Sequence, residues 1–255
     1  MQIEIQEIVS IAKEAGKKVM EIYSQDFSVE TKGDNSPLTQ ADKAANEIII
    51  SSLEKLFPGI PRISEETKLT SFAERKNWNE YWLIDPLDGT KEFIKKNGEF
   101  TVNIALMKSG QPVLGVVFLP AKNICYFGDA NGSFREDEDG NISSLKKSSH
   151  YSALQKINVV ASRSHMSEET VAFVDELKKQ GKEIDFVSSG SSIKFCLVAD
   201  GTADVYPRFG PTMEWDTAAG QAVVEFAGGK VTNVETGNQL LYNKENLLNP
   251  FFIVE

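Results

Sequence analysis

From Ile5 to Tyr23 the apolar residues Ile5, Ile8, Val9, Ala12, Val19, Met20 and Tyr23 recur at spacings of three and four. That repeat puts side chains on one face of a helix and predicts a core-packing helix over Ile3 to Tyr23, with a membrane-surface or partner helix as the weaker alternative. The turn-forming stretch TKGDNSPLTQAD leads into a second helical pattern from about Gln40 through Leu56, closed by Pro58 and Gly59. Thr39 or a neighbour would cap it, which places Asp42 in the first turn, where exposed N–H groups favour an anion. The runs YWLID, FTVNIALM, PVLGVVFLP and NICYFGD then read as strands, separated by Gly, Asn and Pro signals that suit an antiparallel meander. The acidic segment REDEDGNISS, Arg135 to Ser144, reads as a solvated loop between halves, with a dedicated metal loop as the alternative.

Beyond about residue 155 the texture changes. INVVAS, a helix from about Ser167 to Gln180, IDFVSS, a helix from about Ser191 to Val198, ADVYPR and a helix opening near Asp216 alternate strand with helix. The expectation is one domain over residues 1–255, with an α+β half to about 150 and an α/β half from about 151.

Composition narrows what such a chain does. With 255 residues and 41% hydrophobic content, a full core is within reach. The net charge of -10 disfavours nucleic-acid binding, which needs a basic surface to displace counterions, and a polyanionic substrate would need cations to offset the field. Cys125 and Cys196 have apolar neighbours and no zinc-like pairing, so buried free thiols are favoured over a redox role. Two histidines, His150 and His165, argue against a His-rich zinc site. The acidic N-terminus lacks the form of a signal peptide, and no run approaches the ~18 apolar residues of a membrane span, so a cytoplasmic protein without a transmembrane segment is expected.

Chemistry concentrates in WLIDPLDGTKEF, Trp82 to Phe93. Pro86 has no N–H to donate, so the strand is expected to end there with Asp85 and Asp88 side by side. Two close carboxylates repel until a proton or a cation intervenes. A hard divalent ion such as Mg2+ suits this oxygen donor set, to which the Leu87 carbonyl could add a further ligand. Gly89 and Thr90, if they open a helix or turn, would turn N–H groups toward phosphate. Taken alone, the stretch is equally an ordinary polar turn. RISEE adds Glu65 and Glu66, and MEWDTAAG adds Asp216 ahead of small residues that let a helix pack closely; a solvated glutamate pair and a simple N-cap are the bland alternatives.

Glu65 in SEE, DPLDGT at Asp85 to Thr90, and Asp216 in WDTAAG together resemble the signature of the lithium-sensitive, metal-dependent phosphatases related to inositol monophosphatase. Within that superfamily, SPLTQAD, DPLDGTKEFIKKNGEFTVNIAL, SRSH, GSSIKFCLVADG and YPRFGPTMEWDTAAG resemble the bacterial CysQ-type 3'(2'),5'-bisphosphate nucleotidases, along essentially the whole chain. The resemblance implies a layered αβαβα sandwich with a metal site between a metal-binding half and a substrate-selecting half. It implies Mg2+, two or three ions, held by Glu65, Asp85, the Leu87 carbonyl, Asp88 and Asp216.

It further implies that Thr90 orients the attacking water while Asp42 polarises Thr90 and takes the proton, with Glu65 sharing that task. Glu65, Leu87, Asp88, Gly89, Thr90 and Asp216 would also contact substrate. His165, Gly190, Lys194 and Arg208 would bind the nucleotide, although each has an ordinary reading as a loop, helix or surface residue. The implied reaction removes the 3'-phosphate of adenosine 3',5'-bisphosphate, with action on the related phosphosulfate as an extension, and serves recycling of a sulfate-assimilation by-product. A sugar or inositol phosphate substrate and a catalytically idle binding module are the two rivals. Oligomeric state and peripheral association with the inner membrane are left unassigned.

Overall fold

In the computed structural model, residues 3–25, 29–31, 37–147, 149–161 and 167–255 are described. In chain order, helix α1 (Ile5–Tyr23) is followed by the antiparallel pair β1 (Val29–Thr31) and β2 (Pro37–Thr39), helix α2 (Gln40–Leu56), strand β3 (Arg62–Ser64) and the one-turn helix α3 (Phe72–Arg75). Strand β4 (Glu80–Asp88) runs into the short helix α4 (Thr90–Ile94), then β5 (Thr101–Lys108), β6 (Gln111–Leu119), β7 (Ile124–Asp129), β8 (Gly132–Glu136) and β9 (Ile142–Leu145). The remainder alternates: β10 (Lys156–Ala161), α5 (Glu168–Lys179), β11 (Glu183–Ser188), α6 (Ile193–Ala199), β12 (Tyr206–Arg208), α7 (Glu214–Phe226), β13 (Val231–Asn233) and β14 (Phe252–Val254).

Strands β3 to β9 form one seven-stranded sheet in sequence order, antiparallel throughout except for β3 beside β4. Both faces are covered, so its strands read as continuous apolar runs rather than alternating ones. Trp82, Ile84, Ile104, Val116 and Phe127 pack toward α1 and α2. Their sequence neighbours Leu83, Ala105, Val117 and Tyr126 pack on the opposite side, toward α6 and α7. A second β layer, made of the parallel pair β10–β11 and a three-stranded sheet in which β14 lies between β12 and β13, covers α6 and α7 from beyond, with an isolated bridge from Val159 to Val205 between the two sheets. Helix α5 closes the far side over Ile157, Val159 and Val205. The layers therefore run helix, sheet, helix, sheet, helix, the expected αβαβα sandwich. Cys125 and Cys196 are free and fully buried, as expected, and burial pushes both thiols up.

Three local expectations are corrected. The first helix begins at Ile5, with Glu4 as its N-cap. Strand β4 does not end at Pro86 but continues to Asp88, because a bulge takes up the proline. The acidic segment is a loop only from residue 137 to 141: Arg135 and Glu136 finish β8 while Ile142 to Ser144 start β9, so it is a hairpin within the first sheet.

One packing detail sets the site. A Cβ at Gly115 of β6 would lie 2.4 Å from the Ala219 carbonyl and 2.7 Å from the Ala222 side chain. Glycine on the strand and alanines on α7 thus let the helix lie against the sheet, the close approach anticipated from TAAG, and this brings Asp216 over the end of β4.

Candidate active site

Register explains how two aspartates three residues apart come to share a face. Asp85 pairs with Asn103 and Asp88 with Thr101, so β4 advances three residues while β5 advances two. Asn103 and Thr101 point the same way along β5, and cross-strand partners share a face, so the extra residue of the bulge turns both carboxylates to one side. The Asp85 carboxylate folds back to accept the Leu87 N–H at 3.1 Å, which fixes the Asp-Pro-Leu turn. The Thr90 hydroxyl donates to the Leu87 carbonyl at 3.3 Å. Gly89 between them adopts φ +93°, and a Cβ there would come within 2.9 Å of the Glu99 carbonyl, so the turn requires glycine.

Two other elements complete the group. Glu65 leaves β3 with its N–H bonded to the Ile84 carbonyl at 3.2 Å, immediately before Asp85. Asp216 is the third residue of α7, not its N-cap: Met213 occupies that position and donates its N–H to Asp216 Oδ2 at 2.8 Å. One carboxylate oxygen each from Glu65, Asp85 and Asp216 lies within 4.8 Å of the others. Burial first, then the fields of Glu65, Asp88, Asp216 and Asp42, raises Asp85 well above the usual carboxylate range. Asp216 is raised by burial and by Asp88, against the opposing Met213 N–H. Carboxylates crowded this closely favour a shared cation or proton, and an all-oxygen set fits a hard divalent metal. Asp42, in the first turn of α2, is 2% exposed, close enough to Asp85 to raise it, and has contacts of its own.

Asp85, Asp88, Gly89, Thr90 and the Leu87 backbone line a well of about 350 Å³ with Glu65, Asp216 and Arg208. It adjoins a larger cleft of about 650 Å³ whose walls carry the cations Lys91, Lys95, Lys194 and Arg208 beside Gly190, Tyr206 and the acid Glu92, with Asp88 and Asp216 at the border with the well. Lys194 is 6% exposed, donates to the Ser191 carbonyl at 2.6 Å and sits 5.4 Å from the centroid of the Tyr206 ring. Burial lowers it to about 8, with Asp88, Glu92 and Glu99 pulling the other way and Arg208 adding to the fall. Arg208 donates to the Pro211 carbonyl at 3.0 Å, and its buried Nε meets no acceptor among the described residues. Gly190 donates its N–H to Glu99 Oε2 at 2.9 Å, which ties its loop to the one following α4.

The residues singled out in the sequence therefore fall into a carboxylate well and an adjoining cleft with four cations, with Asp42 buried near Asp85 and Glu66 half-buried next to Glu65 in the chain. His165 and the rest of SRSH lie outside the described residues. Sequence reasoning missed Ser192, Lys91 and Lys95. A signal for the first was present: Thr101 and Asn103 are polar positions in a strand that is otherwise buried and apolar, and Asn103 donates to Ser192 at 3.0 Å.

A family model described as "Inositol monophosphatase family" matches residues 2–250. The chain is 44% identical over 253 residues to the 3'(2'),5'-bisphosphate nucleotidase CysQ of Escherichia coli, covering 98% of each. It is 36% identical to the protein of the same name from Haemophilus influenzae, covering 98% of this chain and 91% of that one. Among solved structures, CysQ from Bacteroides thetaiotaomicron superposes with a TM-score of 0.86 at 43% identity, over 98% of this chain and 96% of the other.

Proposed function

The chain belongs to the inositol monophosphatase family, whose enzymes are metal-dependent, and on that premise we propose that it is a Mg2+-dependent 3'(2'),5'-bisphosphate nucleotidase. It removes the 3'-phosphate of adenosine 3',5'-bisphosphate to give AMP and phosphate, and it accepts the related phosphosulfate; its place is recycling of a sulfur-assimilation by-product. The observation that carries the reading is the joining of a carboxylate well to a cleft with a buried lysine and an arginine. One end suits a phosphate under attack and the other a second phosphate that is kept.

Glu65, Asp85, Asp88, Asp216 and the Leu87 carbonyl would hold two or three Mg2+ ions. Bound there, the ions supply a lowered pKa for the attacking water and positive charge for the phosphoryl and leaving oxygens. Asp42, buried near Asp85, would draw a proton through the Thr90 hydroxyl, which would orient the water, with Glu65 sharing the task. The Thr90 hydroxyl donates to the Leu87 carbonyl at 3.3 Å, so the water-orienting residue is tied to the same turn as the carbonyl that would ligate. Gly89 and Thr90 offer backbone N–H groups to the scissile phosphate. Lys194 and Arg208 pair with the 5'-phosphate, while Gly190 and His165 complete the nucleotide contacts. Retention of both Asp42 and Thr90 favours an enzyme over an idle binding module, since binding alone needs no water-activating pair.

The reading is tested by supplying adenosine 3',5'-bisphosphate with and without Mg2+ and identifying the nucleotide product. Release of phosphate with 5'-AMP, abolished by chelation, is expected. Nucleotide binding with no phosphate release, or a strong preference for an inositol phosphate, contradicts it.

A further inference from the structure

Ser192 precedes α6 and is 2% exposed. Its N–H donates to Asp88 Oδ2 at 2.5 Å, and its hydroxyl lies 2.7 Å from the same oxygen. The hydroxyl also lies 2.7 Å from the backbone carbonyl of Asp216 and receives the Asn103 amide at 3.0 Å. A hydroxyl carries one proton and two lone pairs. With the Asn103 amide donating into a lone pair, the serine proton is directed to the acceptors, Asp88 and the Asp216 carbonyl. Asn103 is itself 1% exposed, and Asp85 is its partner across the sheet, so the amide is anchored in the strand that sets the bulge.

The arrangement acts on Asp88, which lines the same well. Glu65, Asp85 and Asp216 converge within 4.8 Å, whereas Asp88 is outside that group and is held instead by Ser192. We infer that Ser192 and Asn103 are a positioning pair: they engage Asp88 Oδ2 so that Oδ1 is the oxygen presented to a divalent cation, and through the Asp216 carbonyl they lock α7 to the same point. Groups that orient a ligating carboxylate in this way raise cation affinity about 10-fold to 100-fold. The inference rests on the carboxylate well being a divalent-cation site. A purely structural serine would instead affect melting temperature and leave cation affinity alone.

The test is calorimetric titration of Mg2+ into the nucleotide-free protein, with melting curves recorded alongside. Ser192→Ala keeps the N–H and loses the hydroxyl, and should weaken binding about 10-fold. Ser192→Thr should restore it, and Asn103→Ala should weaken it in the same direction but by less. At saturating Mg2+ the Ser192→Ala enzyme should regain most of its kcat, the loss appearing as a raised Mg2+ requirement. Wild-type affinity in Ser192→Ala overturns the inference, as does failure of the threonine to restore binding. If Ser192→Ala does not fold, Asn103→Ala decides: binding equal to wild type overturns the inference and weakened binding supports it. No Mg2+ binding by the wild-type protein would instead defeat the cation-site reading itself.

Discussion

The carboxylate well and the cationic cleft share a border but are built differently. In the well, the acids are set mainly by backbone: a bulge turns Asp85 and Asp88 to one face, the Leu87 N–H holds Asp85, the Ser192 N–H and hydroxyl hold Asp88, a β3–β4 bond places the Glu65 backbone, and the Met213 N–H holds Asp216. In the cleft, the cations stand on long side chains from α4 and the residue after it, from α6 and from β12, with Lys194 buried and Lys91 and Lys95 exposed. The difference teaches where each kind of property resides. Reaction chemistry needs oxygen atoms held to a fraction of an ångström, which backbone supplies, whereas selection among substrates needs only charge within reach of an anion. Damage to the well should therefore appear in kcat and in cation binding, and damage to the cleft in KM.

The largest effect is expected for Asp88→Asn, which removes a ligating charge: activity should fall by more than the roughly 10²-fold that loss of a supporting hydrogen bond costs, with Mg2+ binding weakened in calorimetry. Near-normal turnover would break the comparison at its base. Thr90→Ala should lower kcat by about 10²-fold, the low end for a group that assists proton transfer, while Mg2+ binding stays near wild type. Lys194→Met should raise KM for the bisphosphate about 10-fold or more, the worth of a hydrogen bond to a charged group, with kcat little changed.

The same lysine gives a pH signature. Its positive charge is present below about 8 and lost above, because burial favours the neutral amine. KM for the bisphosphate should therefore rise between pH 7 and pH 9 in the wild type and stay flat in Lys194→Arg, as steady-state kinetics would reveal. The smallest effect is Gly115→Ala, whose added methyl crowds the Ala219 carbonyl; a loss of about 1–3 kcal/mol is expected from chemical denaturation, with KM for substrate barely moved.

Much of this was legible in the chain. The periodicity of α1 and α2, the meander β4 to β7 and the later alternation of strand and helix follow from local patterns that tertiary packing left intact. The missed elements, such as β3, β13 and β14, are three residues each and form only because a neighbouring strand pairs with them. Pro86 misled because a bulge, invisible in local propensity, accommodates a residue without an N–H inside a continuing strand. Among site residues, the acids were visible as motifs. Ser192 was signalled only indirectly: polar Asn103 in an apolar strand implies a buried partner, but only the fold brings Asp88, Asn103 and Asp216 to this serine.

The division of labour between well and cleft is tested most directly by one ratio: kcat/KM for adenosine 3',5'-bisphosphate over that for adenosine 3'-monophosphate, measured at saturating Mg2+ in the wild type and in Lys194→Met. A ratio above about 10 in the wild type that falls about 10-fold in the variant, where Arg208 alone still pairs with the 5'-phosphate, with activity on the monophosphate unchanged, is the predicted result. Equal activity on the two nucleotides in the wild type, or a variant that loses both activities together, would contradict it.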